Sequence, residues 1–377
     1  MKAHLLIESK KLLKDKTYVA LFFFLFFLFI SPLVVTMEFD MDAQKIDYIK
    51  SDIMMTEEGI SQMEQDDAQA AAADETERLQ LLKELLKTYE SGNIYERTKA
   101  ELALENKVLK QMESGSVVGI PIIEQRKKVA EIDYLVKNKL APLSGLEYSY
   151  GGINYIFTAF HSFIPFTFLL LLPVLVYTNT LSMEKERGTK DFLNMTPLKY
   201  RTILSTKMSV AILFSFFGFL LSLIPVFLVV SLKNGMGTFN YPLAISRDQL
   251  SVQILTTGQF LLKFIILLFA IYIFLASLAL LISRFTDNFF IYLSVMLTSV
   301  LLPTLPLFNN TDSFFARIAH YIPFTYFDLT KVITYGTEDF PVINEHINFT
   351  GGLICLFAYS ILCILISSVL ISKKSKI

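Results

Sequence analysis

The chain has 377 residues, 53% of them hydrophobic, with 34 Phe, no Trp and a positive mean hydropathy. Soluble domains are less apolar, so the composition points to a membrane protein. A net charge of −1 excludes no class of partner by itself, and the distribution of charge along the chain has to carry that information.

Residues 1–16 set Leu5 and Leu6 seven positions ahead of Leu12 and Leu13, with lysines around them. That spacing suits a cytoplasmic amphipathic helix lying in the membrane interface. Ser9 and Lys16 fall within the stripe, so a plain basic flank is the alternative. Residues 17–36 are uncharged and include Phe22, Phe23, Phe24, Phe26 and Phe27. Twenty residues at about 1.5 Å each reach across roughly 30 Å of hydrocarbon. No convincing small-residue cleavage site follows Ser31 and Pro32, so the segment reads as an uncleaved first transmembrane helix.

Residues 37–152 carry 23 acidic and 14 basic residues, a net of −9. Ile46, Ile49, Ile53, Ile60 and Met63 recur at helical spacing, and Leu79, Leu82, Leu86 and Tyr89 repeat it after a polar, alanine-rich interval. Gly92 and Asn93 mark a stop before a pattern through Leu102, Val108, Leu109 and Met112. Pro121 opens a third pattern through Ile122, Val129, Ile132 and Val136. The reading is a helical hairpin or small bundle with coiled-coil-like seams.

Five further apolar segments follow, at residues 153–178, 208–232, 258–283, 289–308 and 349–372. Each is long enough to span, and Pro165, Pro173, Pro225 and Pro303 are tolerated in such helices. The expected fold is an all-α integral membrane protein with six transmembrane helices and an α-helical domain between the first and second. Residues 179–207 form a charged loop, 233–257 and 309–348 form loops of the opposite side, and 373–377 are a basic tail. Lys and Arg are concentrated in 1–16, 179–207, Arg284 and the tail, against Lys233, Arg247, Arg317 and Lys331 elsewhere. The positive-inside rule puts both termini and 179–207 in the cytoplasm, and 37–152 outside the cell membrane.

No phosphate-binding loop, zinc-protease helix, Cys-x-x-Cys or nucleophile elbow occurs, so catalysis by this chain is not expected. The four histidines are scattered, and Cys355 and Cys363 read as small hydrophobes of one apolar run. Lys263 reads as snorkelling to the interface, and His161 as packing or hydrogen bonding. No span holds the buried carboxylates of an ion-coupled carrier. Nothing points to nucleic acid.

The most specific signal lies between the second and third apolar segments. Glu184, Glu186 and Arg187 extend a helix end, Gly188 permits a turn, and Thr189 suits an N-cap for a short helix through Phe192, Leu193 and Met195 that ends at Pro197. Such a helix could fit a groove on a soluble partner. The stretch from Glu184 to Pro197 resembles the Glu-x-Glu-x-Gly-Thr-x-x-x-Leu-x-x-(Ser/Thr)-Pro loop of ABC-2-type transporter permeases. Residues 7–15 resemble that family's amphipathic N-terminal helix, and Ile322, Pro323, Phe324 and Thr325 its Pro-containing segment before the last span.

The resemblance covers residues 1–36 and 153–377, and it implies the following. Glu184, Glu186, Arg187, Gly188, Thr189, Leu193 and Pro197 dock, as a coupling helix, on an ABC ATP-binding subunit. That partner binds ATP and Mg, while this chain holds no cofactor. A second permease subunit completes a homo- or heterodimer in membrane lipid. Pro323 and Thr325 belong to short re-entrant helices gating the outer mouth. The large segment 37–152 departs from the family's simplest members. Phe-rich spans nearly free of charge suit an amphiphilic cargo such as a peptide, lipid or hydrophobic drug. A membrane receptor or scaffold, sensing through the acidic helical domain, is the competing reading.

Overall fold

A computed structural model describes residues 2–35, 41–65, 69–117, 120–143, 150–186, 200–247, 250–286, 288–304, 317–336, 344 and 346–374. In chain order the elements are α1 (Lys2–Leu13), α2 (Lys16–Val35), α3 (Met41–Gln65), α4 (Gln69–Ser91), α5 (Ile94–Glu113) and α6 (Ile122–Lys137). Then come α7 (Gly152–Thr158), a π turn (Ala159–Phe163), α8 (Phe166–Glu186), α9 (Tyr200–Asn234), β1 (Pro242–Ile245), β2 (Gln253–Thr256) and α10 (Thr257–Ile282). The rest is α11 (Phe289–Leu301), short 3-10 turns, α12 (Leu329–Thr334) and α13 (Phe349–Lys374).

Among the described residues four helices are long and apolar enough to cross a membrane: α2, α9, α10 and α13. The expected span 153–178 is not straight. Its two halves, Gly152–Phe163 and Phe166–Ser182, meet at 90°, and together they count as a fifth candidate. The cause lies in the sequence: Pro165 has no N–H to donate, and its ring disfavours helix at the preceding residue. The π turn takes up the register just before it. Of the expected segment 289–308, the described part is an apolar helix of Phe289–Thr304 whose last turn, around Pro303, tightens to 3-10 geometry, and 305–308 lie outside the described residues.

The chain divides into two compact units. One comprises Met1–Val34, Ile156–Val229 and Leu261–Ile377. Its interior is aromatic: Phe29, Phe219, Phe264, Phe274, Tyr177 and Tyr272 are fully buried. Phe160 stacks on Phe264 at 4.5 Å and meets Phe29 edge-on at 5.8 Å. Each such pair contributes about 0.5–1.5 kcal/mol beyond simple burial.

Prolines inside these helices release carbonyls four residues back, and neighbours fill them. Pro32 frees the carbonyl of Leu28, which accepts from Ser31 Oγ at 2.8 Å. Pro173 frees that of Leu169, which accepts from Tyr272 Oη of α10 at 3.0 Å. A tyrosine thus both fills the core and completes the broken ladder of another helix.

The second unit comprises Val35–Tyr155 and Val230–Phe260. Helices α3, α4 and α5 pack in sequence around Ile49, Ile53, Leu82, Leu85, Ala100 and Leu104, and α6 packs against α5. The alanine-rich stretch is itself helical from Gln69 on, where α4 starts. In α6 the buried apolar positions are Ile132 and Leu135, the latter one residue short of the expected Val136. Asn93 caps α5, its Oδ1 accepting from the N–H of Tyr95 and Glu96 at 3.1 and 3.3 Å.

A β-hairpin, absent from the all-helical expectation, joins this unit. β1 and β2 are antiparallel, pairing Pro242 with Thr256 and Ile245 with Gln253. The free edge of β1 turns toward α6, where the Ala244 N–H donates to Glu131 Oε1 at 2.6 Å. Within residues 233–257, expected as a loop, 242–245 and 253–256 are therefore paired strands. Gly151 and Gly237 allow the chain segments at their base to touch: a Cβ on Gly151 would lie 2.5 Å from the backbone of Gly237.

Candidate functional site

Of the seven residues that the resemblance assigns to docking, Glu184 and Glu186 close the last turn of α8. Arg187, Gly188, Thr189, Leu193 and Pro197 lie outside the described residues. What is on view is the frame that holds the two ends of the insert. Asp15, at the corner between α1 and α2, accepts from the Thr17 N–H with Oδ1 at 2.9 Å and from Asn179 Nδ2 with Oδ2 at 2.6 Å. One carboxylate therefore caps the first span and ties it to α8, seven residues before Glu186. At the other end, Arg201 in the first turn of α9 donates to the Ser368 carbonyl of α13 at 3.1 Å. Tyr18 Oη donates to the Phe214 carbonyl at 2.9 Å and leaves room only for glycine at 218, where an added Cβ would come within 2.7 Å. These bonds tie the start of α2 to α8 and α9, and α9 to α13.

Sequence reasoning passed over Asp15, Asn179 and Tyr18. The available signal was Asp15 itself, a capping residue directly ahead of an apolar run. Asn179 carries no local signal, since its partner is 164 residues away.

Pro323 and Thr325 are placed together in one 3-10 turn, Pro323–Phe327, with Pro323 at its start. Helices α10 and α13 pin this turn. Phe274 meets Phe324 and Phe327 at 5.8 and 6.0 Å. Tyr326 reaches over α13, where a Cβ on Gly352 would stand 2.8 Å from its ring, and its hydroxyl donates to the His320 carbonyl at 2.8 Å. The Thr325 hydroxyl is buried and has no partner among the described residues. An unsatisfied buried hydroxyl is costly, about 1–3 kcal/mol, so it marks a place where the fold is not optimised for stability alone.

His161 lies in the π turn, stacked on Phe157 at 5.4 Å with Nδ1 3.0 Å from Ser162 Oγ. Lys263 is half-buried near the start of α10. Cys355 and Cys363 are buried thiols of one helix. Among the described residues no group of His, Cys, Asp and Glu is arranged to hold a metal ion.

The sequence pattern of one family, described as ABC-2 family transporter protein, matches residues 4–371. No curated protein and no solved structure matches the chain.

Proposed function

The chain belongs to the ABC-2 transporter family, and from that premise we propose that it is the transmembrane, permease subunit of an ATP-driven exporter. In this reading six apolar segments cross the cell membrane, with both termini in the cytoplasm. The candidates are α2, the bent pair α7–α8, α9, α10, the short α11 and α13.

The observation that carries the reading is the position of the insert. Residues 187–199 join the C-terminal end of α8 to the N-terminal end of α9. At its other end α9 leads into Gly235, whose carbonyl accepts from the Gly152 N–H at 2.9 Å. α9 has 35 residues, and at about 1.5 Å each that is roughly 50 Å, enough to clear a bilayer and hold its two ends on opposite faces. A charged insert leading into a helix of that length is the arrangement a permease needs if a cytoplasmic motor is to act on it.

The partner is an ABC ATP-binding subunit, which supplies ATP and Mg; a second permease copy completes the pathway. ATP binding draws the motor subunits together. The coupling helix, with Glu184, Glu186, Arg187, Gly188, Thr189, Leu193 and Pro197, moves with them, and the spans reorient. The bonds of Asp15 and Arg201 pass that motion to α2 and α13. Pro323 and Thr325 form the outer gate, and the cargo is amphiphilic. Co-purification tests the reading. An ATP-binding subunit should stay with the wild-type chain and leave on Gly188→Pro or Leu193→Asp. Retention on both variants would overturn the docking role and favour a receptor or scaffold.

A further inference from the structure

The break in the second apolar segment opens a cavity of about 220 Å³ that none of the functions above uses. Polar groups of two elements meet there: His161 and Ser162 from the π turn, and Asp328, Thr330 and Lys331 from the start of α12. Phe160, Phe166 and Phe264 supply aromatic walls. The two elements are joined directly, since Thr330 Oγ1 donates to the Phe160 carbonyl at 3.0 Å. With its proton so engaged, the Thr330 oxygen faces other groups as an acceptor only.

A packing role accounts for part of this. Asp328 caps α12, its Oδ1 accepting from the Lys331 N–H at 3.1 Å. Asparagine or serine would cap as well without bringing a charge into an apolar surrounding. Charge placed among membrane helices is expensive and usually functional. Here a carboxylate, an ammonium and an imidazole share one small space.

We propose that this cavity binds the headgroup of a zwitterionic lipid bearing a primary ammonium and a phosphodiester, of the phosphatidylethanolamine type. Asp328 and the Thr330 oxygen take the ammonium, with the aromatic faces adding cation–π attraction. Lys331 and His161 take the phosphate. The volume is below the roughly 300–1,000 Å³ that encloses a drug-sized ligand, so a headgroup fits and a whole amphiphile does not. The rim favours a lipid over a peptide. Phe163, at the break, and Phe168, one turn further along α8, are exposed, and acyl chains can lie along them. The inference deepens the amphiphile-transport reading and rests on the membrane location of these helices, not on the docking of a motor.

The test uses the full-length chain in detergent micelles, titrated with dioleoyl phosphatidylethanolamine or dioleoyl phosphatidylglycerol and read by native mass spectrometry. Wild type should bind the ethanolamine lipid at least ten-fold more tightly. Asp328→Asn keeps a capping oxygen and removes the charge. It should cost at least ten-fold for phosphatidylethanolamine and leave phosphatidylglycerol unchanged. Lys331→Met should weaken both lipids. Equal binding of the two lipids by wild type overturns the proposal, as does unchanged ethanolamine-lipid binding in Asp328→Asn. Displacement of the lipid by alanyl-alanine as readily as by short-chain phosphatidylethanolamine would also overturn it, and point to a peptide. If Asp328→Asn does not run as a monodisperse species, the wild-type lipid ratio and Lys331→Met decide. Loss of lipid selectivity with the ATP-binding subunit still co-purifying would sink this inference alone.

Discussion

The two compact units hold themselves together by different chemistry. In the unit that contains the apolar spans, helices are joined by aromatic contacts and by hydroxyl groups that reach carbonyls released by proline, as Tyr272 does for Leu169. The acidic unit instead has a small aliphatic core wrapped in ion pairs. Arg78 grips Asp52 with one Nη at 3.0 and 3.1 Å, Lys128 meets Glu105 at 2.6 Å, and Lys107 bonds both Asp74 and Glu77. Each pattern suits its solvent. Where no water can satisfy a freed carbonyl, a hydroxyl must, and where water competes, only burial gives much stability and charges tune it.

That contrast can be broken in order of effect. The largest change expected is Leu82→Ala, which truncates the most buried leucine of the acidic unit's core and should cost about 2–5 kcal/mol. Hydrogen exchange should then rise in α4 and α5 and stay unchanged in α10. An equal rise in α10 would mean that the two units unfold as one.

Tyr272→Phe keeps the ring and strips the hydroxyl, leaving the Leu169 carbonyl unmet. The expected cost is about 1–2 kcal/mol, read as a lower Tm in micelles. A Tm like wild type would show that the proline-freed carbonyl finds another donor.

Thr325→Val runs the other way. Removing a buried hydroxyl without a described partner should leave Tm equal or raised by up to about 1 kcal/mol of stability, while export of cargo falls if the hydroxyl serves the gate. Unimpaired export would reduce Thr325 to a packing residue.

The smallest effect belongs to Lys107→Met, at most about 1 kcal/mol and fading with added salt, because its partners are well exposed. Its pH dependence has a definite sign. Hydrogen bonds from Lys107 and Gln111 hold the Asp74 carboxyl below its ordinary value, and those to Asp74 and Glu77 hold the Lys107 ammonium above its own. The carboxylate's contribution is present above the unfolded value of about 3.9 and is lost as pH falls through the lower folded value. The ammonium's is present below about 10.4 and is lost as pH rises through the higher folded value. Both therefore operate at neutral pH, and wild type and variant should converge in chemical melts only once pH falls through the lowered Asp74 value, below the ordinary carboxylate range.

What could be read from the sequence follows the same division. Apolar runs announce themselves, so α2, α10 and α13 fall within a few residues of their expected limits, while α9 starts at Tyr200, eight residues before the expected 208 and inside the expected loop 179–207. Heptad spacing marked Ile49, Ile53, Leu82 and Ile132 as core, and missed Leu135 by one position because Val136 competes for the same stripe. The break at Pro165 was visible as a proline but not as a right angle, since neither the π turn before it nor the Thr330 bond to the Phe160 carbonyl carries a sequence signal. The β-hairpin was invisible, because strands of four residues carry too little periodicity and β1 is oriented by Glu131, over a hundred residues away. In the candidate site, the sequence marked the insert by its motif, and Arg187, Gly188, Thr189, Leu193 and Pro197 of it lie outside the described residues. Its supports, Asp15 with Asn179 and Arg201 with the Ser368 carbonyl, exist only in three dimensions.

The most direct test of the account is the sidedness of the insert. Thr189→Cys should resist a membrane-impermeant maleimide on intact cells and react once the membrane is permeabilised, whereas Ser116→Cys in the acidic unit should react on intact cells. Labelling of Thr189→Cys from outside would put the insert out of reach of any cytoplasmic motor and contradict the account.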